Sequence, residues 1–304
     1  MMIDIQEDAV SPNSVYVVGS ANIDLRLGMK TLPEPGQTVL ASTSARYIGG
    51  KGANQAVASA QSGVPTTFIG CVGDDEDGKS VLRALRESGI STGEVELMGG
   101  ISTGLATVMV SDDGNNSIVV VPGANSRLSP LRARTVLNRS CDERSVVVLQ
   151  AEIPYETVQT VISAGRERDS TVVFNIAPYA GFPIEIIRQV DFLILNEVEA
   201  SQFLKDLGIE RTSPKETASE VAKHARKGAV VTFGSQGAYW ATKTESGHVP
   251  AEKVRVVDTT GAGDSFVGAF SAAIAEGKGV EESVRIGTRL AGRTVQYEGA
   301  QKVL

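Results

Sequence analysis

Short apolar runs separated by helix-spaced polar stretches organise this chain. Val15-Tyr-Val-Val-Gly19 is an apolar run closed by glycine, the pattern of a strand buried on both faces. From Ser145 onward such runs return at regular intervals, as Val146 to Leu149, Val172 to Phe174, Phe192 to Leu195 and Val230 to Phe233. Helices are predicted between them, beginning near Tyr155, Ile184, Asn196 and Pro214. This alternation predicts an α/β fold with a mostly parallel sheet and helices on both faces. Thr67 to Val72 and Val254 to Val257 read as further strands, Lys79 to Arg86 as a helix and Val280 to Val295 as the last helix. Two stretches break the rhythm. Leu25 to Ala45 carries strand-like pieces interrupted by Pro33, Pro35 and Gly36, and Ile101 to Val121 reads as a hairpin. These two are expected to pair into a small sheet outside the main fold, a lid with strands within 22–48 and 101–122 of a single domain spanning 1–304.

Ligands in parallel sheets gather at the carboxyl ends of the strands. Glu152, Asn175, Asn196, Glu199, Thr232 and Gly234 are placed there by the predicted elements. Asn196 and Glu199 have two readings, an N-capping pair or a role near a metal–phosphate group. Asn22 and Asp24, two apart after the first strand, face one side of an extended segment. An amide and a carboxylate so placed make a clamp for vicinal hydroxyls, or else a polar Asx turn. Gly49-Gly-Lys-Gly-Ala-Asn-Gln-Ala56 is a glycine-rich turn opening a helix, where Lys51 can meet an oxyanion and Asn54 offers both donor and acceptor. The other reading is a close-packed helix start with an exposed lysine.

Asp258-Thr-Thr-Gly-Ala-Gly-Asp264-Ser-Phe-Val-Gly-Ala-Phe270 carries the sharpest chemical signal. Gly261 and Gly263 permit a tight turn with uncovered N–H groups, and a helix is predicted to start near Gly263. A helix N-terminus favours anions. A carboxylate there has one obvious task, taking a proton from a hydroxyl that attacks a phosphoryl group. The alternative is an N-capping aspartate. Gly73-Asp-Asp-Glu-Asp-Gly-Lys-Ser80 matches the P-loop pattern letter for letter. Its four variable positions are all acidic, however, and would repel the phosphates the loop should cradle. It reads as an acidic surface turn.

Composition narrows the classes. A net charge of -7 over 304 residues argues against nucleic acid or an anionic membrane as partner. An anionic cofactor must then be held by local dipoles and a few cations. Cys71 and Cys141 stand in no metal spacing and read as buried thiols in a reducing compartment. His224 and His248 read as solvated surface positions. Met1 to Ser14 lacks the apolar core of a signal peptide and no run approaches a membrane span, so a cytoplasmic protein is expected.

Together these motifs resemble the ribokinases of the PfkB carbohydrate kinase family. The markers are Gly19-Ser-Ala-Asn22-Ile-Asp24, Gly49 to Gln55, Leu149-Gln-Ala-Glu152, Asn196-Glu-Val-Glu199, Thr232-Phe-Gly-Ser-Gln-Gly237 and Asp258 to Asp264, in family order from Val15 to Gln301. The resemblance implies a three-layer α/β/α sandwich with a β-lid, dimerised through the lids. It implies phosphorylation of a sugar's primary hydroxyl by ATP, with D-ribose giving D-ribose 5-phosphate as first choice. A nucleoside, another pentose or a ketohexose, or a non-catalytic sugar-binding regulator, are the alternatives. The sugar would be held by Asn22, Asp24, Gly50, Lys51, Asn54 and Glu152, with Asp264 as base and Gly261, Ala262 and Gly263 as the anion hole. Asn196, Thr232 and Gly234 would contact the nucleotide, and Glu199 would organise Mg²⁺ through water. K⁺ would sit at Asp258 and the carbonyls of Thr260, Thr294, Tyr297 and Gly299. The chain departs from the family in Asn175-Ile-Ala-Pro178, in Arg289 and Arg293, and in Tyr297 where arginine is common.

Overall fold

The structure is a computed structural model that describes residues 13–210 and 213–300. Most of the segment read as lacking a leader, and Gln301 of the closing motif, lie outside the described residues. In chain order the elements are β1 (Val15–Val18), β2 (Asn22–Met29), β3 (Ala41–Gly49), α1 (Lys51–Gln61), β4 (Thr66–Gly73), α2 (Glu76–Glu87), β5 (Ser91–Met98), β6 (Gly104–Ser111), β7 (Asn116–Val121) and α3 (Pro130–Ser140). Then follow β8 (Val146–Gln150), α4 (Tyr155–Glu167), β9 (Thr171–Asn175), α5 (Ile184–Ile187), β10 (Phe192–Asn196), α6 (Glu197–Asp206), α7 (Pro214–Ala222), β11 (Gly228–Thr232), β12 (Ala238–Thr242), β13 (Ser246–Val249), α8 (Ala262–Ala275) and α9 (Val280–Thr294).

The large sheet has the order β13-β12-β11-β10-β9-β8-β1-β4-β5 and is parallel from β11 to β5. Its strands bury both faces. In β1, Val15 and Val17 join a core with α1, α2 and α8, while Tyr16 and Val18 join the opposite core with α3, α4, α6 and α7. Such two-sided burial is why these strands are nearly continuous runs of valine, leucine and phenylalanine. Each large side chain sealed there, such as Phe68, Phe174 or Phe270, contributes on the order of 2 kcal/mol of transfer free energy. Strand β1 lies between β4 and β8, so the order reverses there, and the crevice outside the carboxyl ends of β1 and β8 is the topological switch point.

The two irregular stretches form a second sheet of order β3-β2-β6-β7. Asn22 to Met29 run parallel to Gly104 to Ser111, with antiparallel β3 and β7 on the outside. The expected pairing of the two excursions is therefore present. Two readings need correction, and three strands were not anticipated. Val254 to Val257 form no strand, because their main chain runs alongside the end of α9, where Val257 and Asp258 donate to the carbonyl of Val295. β12 and β13, an antiparallel edge, and β5 had no periodic signal strong enough to register. His224 is not solvated: its ring stands edge-on to Phe203 at 5.6 Å, both nitrogens are buried without a hydrogen bond, and burial pushes its pKa down. His248 is exposed, stacked on Tyr239. Both cysteines are free and buried.

The P-loop look-alike is resolved by its hydrogen bonds. Asp75 caps α2, its Oδ1 accepting from Gly78 N (2.7 Å) and Thr103 Oγ1 (2.6 Å), its Oδ2 from Thr103 N (2.8 Å). Gly73 N donates to Thr103 Oγ1, and Lys79 is exposed and paired with Glu76. The N–H groups that would cradle a phosphate are spent on pinning the start of β6.

Candidate active site

Asp264 lies in the first turn of α8, and its placement begins with Gly261, the N-cap residue, whose φ of 75° is a left-handed conformation open to glycine. A Cβ at Gly261 would also strike Ala300. The main-chain N–H groups of Gly263 and Asp264 make no hydrogen bond among the described residues, as expected of a helix start. Gly268, one turn further, lets α8 approach α1 so closely that a Cβ there would sit 2.3 Å from the carbonyl of Gln55. That approach brings the two helices' chemistry together. The Asp264 carboxylate is buried and accepts from Asn54 Nδ2 and Gln55 Nε2, both at 3.0 Å. Asp264 is thus not an N-cap: its oxygens are held by side chains of α1, not by its own helix.

A buried amide relay supports this carboxylate. Gln150, at the end of β8, donates to Gln55 Oε1 (2.7 Å), Gln55 also donates to Asn175 Oδ1 (3.1 Å), and Asn175 donates to the carbonyl of Ile194 (3.1 Å). The orientation of the Gln55 amide is fixed from both ends. Gln55 and Gln150 had gone unassigned although both stand inside quoted motifs, because an amide that acts through another residue has no spacing signature.

Four carboxylates, Asp24, Glu152, Glu199 and Asp264, act on Lys51, the first residue of α1. Glu152 accepts from Ser20 Oγ (2.6 Å) and from Lys51 N (3.1 Å) through Oε2. Lys51 has its pKa raised, chiefly by Asp264, against burial, with Glu152, Glu199 and Asp24 adding to the rise. It is therefore a fixed cation. Asp24 is the strained member. Burial first, then the charges of Glu152 and Asp264, push its pKa up to about 6, with Lys51 opposing. Its Oδ1 is buried with no hydrogen-bond partner, and the carboxyl lies against Gly49, where a Cβ would stand 2.2 Å from it. A buried carboxylate oxygen without a donor is costly unless a ligand supplies one. Asn22, two residues back on β2, accepts at Oδ1 from Asn125 Nδ2 (2.7 Å); Asn125 also clasps the main chain of Ala21 through both its amide atoms. Asn125 was missed, since it sits in a 3₁₀ turn (Gly123–Arg127) with no motif around it.

A cleft of about 210 Å³ joins this cluster to the other sheet ends, lined among others by Lys51, Asn196, Glu199, Thr232, Gly261 and Asp264. Asn196 Oδ1 accepts from Val198 N and Glu199 N (both 2.9 Å), and Glu199 Oε2 accepts from Asn196 N (2.8 Å), so the capping box is formed. Of the Glu199 carboxylate, Oε2 is the oxygen that closes the box. Burial raises the Glu199 pKa, opposed by the Asn196 N–H and Lys51. The two readings of this pair are compatible: one oxygen caps, and the residue lines the cleft. Gly234, with φ 53°, lies in the turn after β11 and is not among the cleft-lining residues. Thr294, Tyr297 and Gly299 line a separate hollow of about 400 Å³ between α1 and α9, which shares Asn54 with the site. No group of three or more His, Cys, Asp or Glu side chains suited to hold a metal directly occurs among the described residues.

The Asp258 end of the turn is held differently. Its Oδ1 accepts from Thr260 N (2.9 Å) and Thr260 Oγ1 (2.7 Å), and its Oδ2 accepts from Gly299 N (3.1 Å) and Arg26 Nη1 (3.0 Å). Burial pushes this carboxyl upward, but those hydrogen bonds and the Arg26 charge outweigh it and hold it below the usual range. An ionised carboxylate offers about four lone-pair sites, and four donors occupy them. The Asp258 carboxylate, one member of the residue set expected for K⁺, therefore has no lone-pair site left for a cation.

The pfkB family carbohydrate kinase profile matches residues 12–304. A ribokinase from Bacillus subtilis is 36% identical over 288 residues, covering 95% of this chain and 94% of that protein. Among solved structures, ribokinase from Thermotoga maritima superposes with a TM-score of 0.85 at 35% identity, covering 94% of each chain. Arabidopsis thaliana ribokinase, complexed with ribose and ATP, does so with a TM-score of 0.84 at 33% identity, covering 95% of this chain and 94% of that one. With a profile match over nearly its whole length and relatives above 30% identity at this coverage, the chain belongs to the pfkB family of carbohydrate kinases.

Proposed function

We propose that this chain transfers the γ-phosphoryl group of ATP to the primary hydroxyl of D-ribose, giving D-ribose 5-phosphate and ADP. The observation that carries the reading is an orphaned buried oxygen on Asp24 together with a positioned carboxylate on Asp264, both of whose charges act on Lys51. Asp24 receives hydrogen bonds from sugar hydroxyls, with Asn22, Gly50 and Glu152 completing the clamp. Asp264, oriented by Asn54 and Gln55, takes the proton of the attacking hydroxyl, and the Gly261-Ala262-Gly263 turn faces the charge on the transferring phosphoryl with the unpaired N–H of Gly263, that of Ala262 being given to the Thr259 carbonyl. Lys51 neutralises the phosphoryl oxygens, while Asn196, Thr232 and Gly234 seat the nucleotide. Mg²⁺ arriving with ATP supplies charge neutralisation on the phosphates, and the other oxygen of Glu199 fits a contact to it through water.

The small sheet acts as a lid in a single functional unit of 1–304, excluding water that would otherwise receive the phosphoryl group. Strand β7 supports a homodimer through the lids: Ile118, Val119, Val120 and Val121 are all about half exposed on an edge strand paired only to β6 among the described residues. Such an apolar edge calls for a cover. The free, buried thiols support a reducing, cytoplasmic setting, and the acidity of the chain supports small-molecule partners over nucleic acid. The test is ADP release with Mg-ATP across D-ribose, 2-deoxyribose, arabinose, xylulose, fructose, adenosine and inosine. Ribose is expected to turn over fastest, and preference for a nucleoside or ketose would discard the substrate while leaving the mechanism.

A further inference from the structure

The residues Asn22, Asp24 and Arg26 recur at every second position of β2 and so line one face of the strand. The first two face the sugar end of the site. The third reaches across to the turn that precedes α8, where its Nη1 lies 3.0 Å from Asp258 Oδ2, a partner 232 positions away in the chain. The pair is sheltered, with side-chain exposures of 30% for Arg26 and 11% for Asp258, so salt screens it less than an ordinary surface pair. The remaining acceptor sites of Asp258 are filled by the N–H and hydroxyl of Thr260 and the N–H of Gly299. A monovalent cation takes oxygen ligands, and the carboxylate at this turn has none left to give. On the neighbouring strand, the Tyr47 ring packs on Gly299, where an added Cβ would lie 2.8 Å from it. The small sheet thus grips the 258–261 turn and the 297–300 loop at two points.

We propose that the Arg26 guanidinium is this chain's built-in cation at the Asp258 turn, standing where a dissociable monovalent cation would otherwise be needed. The positive charge is tethered to β2, the strand that carries the sugar-binding pair, and fixes the geometry of the turn leading to Gly261, Gly263 and Asp264. Arg26 is a positioning residue: it touches neither substrate nor phosphoryl group, and acts through Asp258. A guanidinium is always protonated and presents a planar fork of donors, which suits it to a permanent post. This inference rests on the kinase reading for its activity measurement, but not for its binding measurement.

The experiment compares the wild type with Arg26→Gln and Arg26→Lys in potassium chloride and in tetramethylammonium chloride at equal ionic strength, reading melting temperature and sugar-dependent ADP release. The wild type is expected to melt at the same temperature in both salts and to turn over within about twofold in both. Arg26→Gln frees a carboxylate lone pair. It should gain a potassium-specific rise in melting temperature and lose about tenfold or more of its turnover in tetramethylammonium, regained in potassium. Arg26→Lys keeps a cation in place and should remain nearly indifferent to potassium. A wild type that is itself stabilised and strongly activated by potassium overturns the proposal, as does an Arg26→Gln variant as active and as salt-indifferent as the wild type. If Arg26→Gln does not fold, the wild type and Arg26→Lys decide the matter on the same readouts. If no sugar turns over in either salt, the kinase reading fails, and the melting temperatures alone still judge the role of Arg26.

Discussion

Asp24 is the residue at which the folded protein bears a measurable cost for its site. Its carboxyl ionises near 3.8 in an unfolded chain and at about 6 in the fold. The difference of about two pH units corresponds to roughly 3 kcal/mol. The sign follows from which state releases its proton first. Below about pH 4 both states are protonated and Asp24 contributes nothing. Between about pH 4 and pH 6 the unfolded chain ionises while the folded one resists, so folding loses stability as pH rises. Above about pH 6 the full cost is present. Asp24→Asn keeps the shape and removes the charge, so the ligand-free variant should be more stable than the wild type near pH 8. The gain should be of order 3 kcal/mol, some 5 °C in melting temperature for a chain of this size, and it should vanish near pH 4. Ribose should reverse the ranking. A hydroxyl donated to the orphan Oδ1 relieves the cost in the wild type, whose melting temperature should rise with ribose, whereas Asp24→Asn should gain little. Thermal denaturation of both proteins at these pH values, with and without ribose, checks the chain of reasoning. A variant no more stable than the wild type near pH 8, or a difference that does not change with pH, would refute it.

Three further outcomes are expected. Asp264→Asn should lower kcat by about 10²–10⁴ with little change in the KM for sugar, since it removes the proton acceptor but leaves the clamp; steady-state ADP release measures both. Lys79→Ala should leave turnover within about twofold of the wild type, because this exposed lysine pairs with Glu76 and the loop's N–H groups are already spent. The wild type should sediment as a dimer and Ile118→Asp as a monomer with the melting profile preserved, a charge on a half-exposed edge position being compatible with the fold of one copy but not with an apolar seam.

Periodicity revealed the large sheet because strands buried on both faces have no freedom to be polar. Val146 to Leu149 and Phe192 to Leu195 were legible for that reason. Strand β13 was not, since its edge position tolerates Ser246, Gly247 and His248, whose pattern resembles a turn. The apolar Val254 to Val257 misled in the opposite direction. Valines alternating there with Lys253 and Arg255 gave a strand-like text, while the hydrogen bonds went to the end of α9. At the site, the residues that bear charge were readable because carboxylates and lysines beside glycine turns demand an explanation. Asn125, Gln55 and Gln150 were not, for neutral amides orient others only once the fold has brought together positions about a hundred residues apart. Arg26 was invisible for the same reason: one cation in a strand says nothing until Asp258 is found opposite it.

The most direct test of the central claim is a proton-coupled phosphorus NMR spectrum of the product formed from D-ribose, Mg-ATP and this enzyme. Transfer to the primary hydroxyl places the phosphorus next to a methylene carbon, so the account predicts a new phosphomonoester triplet growing as ADP appears. A doublet, the mark of a phosphate on a ring carbon bearing one hydrogen, would contradict the placement of Asp264 against the primary hydroxyl. Inorganic phosphate alone would contradict the claim that the site delivers the phosphoryl group to sugar.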